Sequence, residues 1–70
     1  MTSYYQDRIK ALHPNLTECE CRHVEAWLRL EYGTLDGLYA DEFKKITANM
    51  AEVARILPDE SEELAQSYGL

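Results

Sequence analysis

Apolar positions along this chain recur at helical spacing, and clear punctuation separates the segments. Tyr5, Ile9 and Leu12 fall on one face of a first segment. Ser3 followed by Gln6 has the form of a capping box. The hydroxyl accepts from an orphan amide, and the side chain three residues on reaches back. His13-Pro14 closes the segment, because the residue before a proline avoids the α region. Thr17 followed by Glu20 is a second capping box, with Leu16 and Cys21 placed as its hydrophobic staple. The helix it opens runs to Tyr32, and Gly33 sits where a left-handed residue ends a helix.

"TLDGL", residues 34–38, reads as a turn built on Asp-Gly. A long amphipathic helix follows. Tyr39, Phe43, Ile46, Met50, Val53, Ala54 and Leu57 form its apolar stripe, with Asp41, Lys44, Lys45, Glu52 and Arg55 opposite. Pro58 breaks it. Asp59 as N-cap and Glu62 at N3 supply a third cap, and a short last helix turns Leu64 and Tyr68 inward. No strand pattern appears. The expectation is a single all-α domain, residues 1–70. Its helices lie near 3–12, 18–32, 39–57 and 60–68, with the second and third forming the main core.

The second helix has an unusual wheel. At about 100° per residue, Cys21, Val24, Leu28 and Tyr32 make one apolar stripe, while Cys19, Ala26 and Leu30 make another nearly opposite. Charged residues occupy the strips between. A helix apolar on two sides is contacted on two sides. Either it is central in the monomer or a homodimer covers the second stripe.

Composition narrows the functional classes. Thirteen acidic residues stand against seven Lys and Arg, for a net charge of −6. Phosphate contacts need a basic face, so direct nucleic-acid binding is disfavoured, and so is an anionic membrane surface. The start "MTSYYQDRIK" lacks the basic and apolar regions of a signal peptide. No apolar run approaches the ~18 residues of a membrane span. The expectation is a cytoplasmic protein with reduced thiols.

Both cysteines and both histidines fall within "HPNLTECECRHVEAW", residues 13–27. The helix divides them. Cys19 and Cys21 are i and i+2 and point to different sides, so they share neither a metal nor a disulfide. Cys21 belongs to the core. Cys19 and His23, at i and i+4, are the only helically adjacent pair. They define one rival reading, a small metal-binding regulator, with His13 as a candidate third ligand and Glu18, Glu20 or a residue of another subunit as a fourth. The bland reading makes Cys19 a half-buried hydrophobe and His23 a polar edge residue, and the expectation assigns no metal and no cofactor.

No catalytic residues are assigned. The glycines are all at turns or helix ends, so none forms a phosphate loop, and "DGLYADEF" lacks the alternating acids of a calcium loop. A helix-turn-helix reader would offer Lys44, Lys45 and Asn49, but Asp41, Glu42 and Glu52 lie alongside. The expectation is not an enzyme.

The acids are unevenly placed: residues 58–70 alone carry −4, all of it in "DESEE". A globule of this size is ~25–30 Å across, and duplex DNA of that length carries ~15 phosphates. A net charge of −6 is too little for whole-surface mimicry of nucleic acid, so the acids suggest a local patch. The expected function is therefore a non-enzymatic interaction module. It would be an acidic helical inhibitor or adaptor for a basic partner protein, on the pattern of a phage- or plasmid-encoded inhibitor of a nucleic-acid-handling defence complex. Glu18, Glu20, Glu60, Glu62 and Glu63 would supply charge, and Trp27 an aromatic anchor. A structural homodimer is the second rival.

Overall fold

A computed structural model describes residues 3–33 and 40–70. It contains four helices, α1 (Tyr4–Leu12), α2 (Glu18–Tyr32), α3 (Ala40–Ile56) and α4 (Pro58–Ser67). There is no strand among the described residues, and the principal extents are 28 × 25 × 24 Å. The all-α class read from the sequence is the class observed. Residues 34–39, which include the "TLDGL" turn and Tyr39, lie outside the described residues.

α2 is the hub, packing against α1, α3 and α4, whereas α3 and α4 touch each other much less. The core is Ile9 of α1, Cys21, Val24 and Leu28 of α2, and Phe43 of α3. Tyr5, Leu12, Leu16, Ile46 and Met50 pack around it. Cys21, Val24 and Leu28 of the first apolar stripe of α2 therefore face α1 and α3, whereas Tyr32 at its end is exposed. Leu16 packs against the cluster that holds Cys21, as a staple would place it. Burial pushes the Cys21 thiol pKa up, keeping it protonated and inert.

The helix ends follow local chemistry. Thr17 Oγ1 accepts from the Glu20 amide at 3.1 Å, and Glu20 Oε1 accepts from the Thr17 amide at 2.9 Å. This closes the capping box. At Ser3 only half of the expected box forms. Ser3 Oγ accepts from the Gln6 amide, but the Gln6 side chain turns inward to Glu25 instead. Gly33 ends α2 at φ 72°, with its N–H on the Arg29 carbonyl. Any residue with a Cβ would be strained at that φ.

α4 departs most from expectation. It begins at Pro58 with Leu57 as N-cap and no side-chain cap, so Asp59 is not the cap. Proline at N1 is already set for the helix and lacks an amide that would need a partner. Ser61 and Ala65 are its buried residues. Leu64 is half-buried and Tyr68 is 42% exposed, so neither anchors the helix. Small Ser61 and Ala65 are fully buried on α4, as is Ala26 on α2, and Ser61 bonds to Trp27 of α2. α4 packs along this side of α2 through Arg22, His23 and Trp27, while Cys19 and Leu30 of the second stripe stay exposed.

Among the described residues, the α3 stripe gains Thr47 and loses Leu57. Thr47 is fully buried within it, and its hydroxyl donates to the Phe43 carbonyl at 2.7 Å. Leu57 is exposed at 37%, because the chain turns there into α4.

Candidate functional site

The joint between α2 and α4 gathers most of the chain's chemistry. Arg22 forks onto Glu62, Nη1 to Oε1 and Nη2 to Oε2, both at 2.7 Å. This is the bidentate geometry that suits guanidinium and carboxylate. His23 Nε2 lies 3.0 Å from Glu62 Oε1. An ionised carboxylate only accepts, so the imidazole carries its proton on Nε2 and donates. Gln66 adds a donor to Oε2 at 3.1 Å. Arg22 first, and then His23, hold the Glu62 carboxyl far below the usual carboxylate range. On the other side of His23, Cys19 Sγ lies 3.6 Å from the same Nε2.

Helical spacing explains why these groups meet. Cys19 and His23 are one turn apart on α2, and Arg22 shares that face. Glu62 reaches them from the second turn of α4, which begins at Pro58. Ser61 beside it accepts from the Trp27 indole N–H at 2.8 Å and donates to the Leu57 carbonyl at 2.6 Å. A single buried hydroxyl thus joins α2, α4 and the bend between α3 and α4.

The cysteine–histidine stretch is divided as its helix requires. His13 faces α3, where its Nε2 lies 2.7 Å from Thr47 Oγ1. The Thr47 hydroxyl already donates to carbonyls, so His13 donates to it. His13 is therefore not a ligand beside Cys19 and His23. Cys21 is in the core, and Cys19 is exposed. His23 is buried, at 6% exposure, and not a polar edge residue. The third group beside the Cys19–His23 pair is Glu62, not Glu18 or Glu20. Cys19 Sγ, His23 Nε2 and a Glu62 oxygen all lie within 4.8 Å of one another.

The residues assigned to partner binding fall into two groups. Glu18, Glu60 and Glu63 are exposed. Glu20, Trp27 and Glu62 have internal partners. Glu20 closes the α2 cap, and the Thr17 amide and hydroxyl lower its pKa. Trp27 is half-buried against Ser61, and Glu62 is held by Arg22. The early turns of α2 and α4 do meet, through Arg22, His23 and Glu62.

A second polar centre lies on the α1 side of α2 and was not foreseen from the sequence. Glu25 is fully buried. Its Oε1 accepts from Ser3 Oγ at 2.6 Å and Gln6 Nε2 at 2.9 Å, and its Oε2 from Arg29 Nε at 2.8 Å. Burial alone would raise its pKa, but these donors outweigh it and hold the carboxyl below its ordinary value. The wheel held the signal, since Glu25 lies within about 40° of Cys21 on the apolar side. Near this centre a groove of about 110 Å³ is lined by Gln6, Asp7, Lys10, Glu18 and Cys21. It is small beside the ~300 Å³ of a ligand pocket.

No described helix is long and apolar enough to cross a membrane. No protein family, curated protein or solved structure matches the chain.

Proposed function

We propose that this chain is a non-enzymatic interaction module, an acidic helical inhibitor or adaptor that docks on a basic face of a partner protein. The observation carrying this reading is the disposition of charge. Arg22, Arg29 and Arg55 are paired internally with Glu62, Glu25 and Glu52. Asp59, Glu60 and Glu63 remain exposed on α4. Uncommitted carboxylates on a rigid helix raise the rate of encounter with a basic surface and select against acidic ones. Proteins that handle nucleic acid carry such basic faces, so an inhibitor of a defence complex of that kind fits the charge. Glu18 extends the acidic surface at the start of α2. Trp27 contributes only through its exposed edge.

Affinity capture from the native host tests this, with wild-type bait beside a Glu60→Lys/Glu63→Lys variant. The variant spares Glu62, so the α2–α4 joint stays intact. The reading expects a partner that the variant fails to retain, and that wild-type bait releases as salt approaches ~1 M, where screening shortens to about 3 Å. Equal retention by both baits at every salt concentration would remove the acidic face as the docking surface.

A further inference from the structure

Cys19, His23 and Glu62 bring three different donor atoms within 4.8 Å of one another. We propose that they form a binding site for a borderline-soft divalent cation, with zinc the best match. Tetrahedral zinc, with Zn–S about 2.3 Å and Zn–N about 2.0–2.1 Å, separates sulfur from nitrogen by roughly 3.5 Å. Cys19 Sγ and His23 Nε2 are 3.6 Å apart. The nitrogen–oxygen edge of the same tetrahedron is roughly 3.3 Å, and His23 Nε2 is 3.0 Å from Glu62 Oε1. Two edges of the donor triangle are thus within tenths of an ångström of the zinc tetrahedron, and the third is closed to within 4.8 Å. Thiolate with imidazole and one carboxylate suits zinc or cobalt(II), not the all-oxygen preferences of calcium and magnesium.

The protons balance. On binding, the Cys19 thiol gives its proton to solvent. The neutral His23 imidazole moves its proton from Nε2 to Nδ1, freeing the Nε2 lone pair. The ion takes Glu62 Oε1 in place of the His23 N–H and one arm of Arg22. Arg22 Nη2 keeps Oε2 and becomes the outer partner that orients the ligating carboxylate. No fourth Cys, His, Asp or Glu joins the group among the described residues. Cys19 is exposed, so the fourth position opens to solvent and takes water. Two ligands come from α2 and one from α4, so the ion clasps the helices and binds the folded chain in preference to the unfolded one. This site is independent of the acidic docking face, and either can fail alone.

The test uses the whole chain, reduced with a non-thiol reductant and freed of metal. It is titrated with zinc by calorimetry and with cobalt(II) by absorbance. The expected result is a single ion per chain, with a thiolate-to-cobalt charge-transfer band. At free zinc near 100 times Kd, the melting temperature rises by roughly 10–20 °C. Cys19→Ser and Glu62→Gln lose the band and the thermal shift, whereas His13→Gln and Cys21→Ala keep both. The band is read on the unaltered chain, so it decides the matter even if a variant unfolds. Binding weaker than millimolar, a missing thiolate band, or a band that survives Cys19→Ser would overturn the proposal.

Discussion

Glu25 and Glu62 are both held by an arginine and by neutral donors, yet they sit in opposite surroundings. Glu25 is fully buried between α1 and α2, and all its donors come from those two helices. Glu62 is half-exposed between α2 and α4, and a thiol and an imidazole adjoin it. The first arrangement is closed. Burying a carboxylate is costly, and only a full set of donors makes it tolerable. The second is open, so part of its charge is screened by water and its partners can be exchanged. A closed carboxylate and an open one thereby lie against two faces of one helix.

Removing each carboxylate should expose that difference. Glu25→Ala leaves Ser3, Gln6 and Arg29 without their acceptor and should cost about 3–5 kcal/mol in urea unfolding. Glu62→Ala should cost clearly less, because water can solvate Arg22. Equal losses would mean the two joints are energetically alike.

Acid gives the next largest effect. Both carboxyls have folded-state pKa values below the ordinary 4.5. Their contribution is therefore fully present above that pH and is lost as pH falls towards the folded values. Unfolding free energy should hold level from pH 7 down to about 5 and then decline. Glu25→Gln and Glu62→Gln should each flatten the acid limb. An unchanged limb in both variants would show that other groups govern acid stability.

Smaller effects test the supports. Trp27→Phe removes one hydrogen bond to Ser61 and should cost about 1 kcal/mol, measured by thermal melting. A loss several times larger would mean that the indole packs more than its half-buried state suggests. Glu52→Gln, which breaks the exposed pair with Arg55, should change stability by less than about 0.5 kcal/mol.

The elements were largely legible because their signals are local. Thr17 with Glu20, Pro14 and Gly33 act within a few residues, and the α3 stripe depends only on period. The start of α4 was misread because Asp59 and Pro58 offer competing starts, and local chemistry alone does not rank them. The Cys19–His23 pair could be read from one turn of helix. Its third member could not, because Glu62 lies thirty-nine residues away from His23 and reaches the pair only once α4 packs against α2. Glu25 was missed for a different reason. A charge on the edge of an apolar stripe looks like a solvated residue until its donors, Ser3 and Gln6, arrive from another helix.

Trp27 is the chain's only tryptophan, and its indole N–H is fixed to Ser61 on α4. Its emission is thus an intrinsic optical reporter of one joint in the molecule. With α4 seated the indole is half-shielded and hydrogen-bonded to protein, and if the helix lifts away the ring meets water and its spectrum shifts to the red. The opening and closing of this face can be timed by stopped-flow fluorescence on the unlabelled protein, separately from the circular dichroism that follows the helices as a whole.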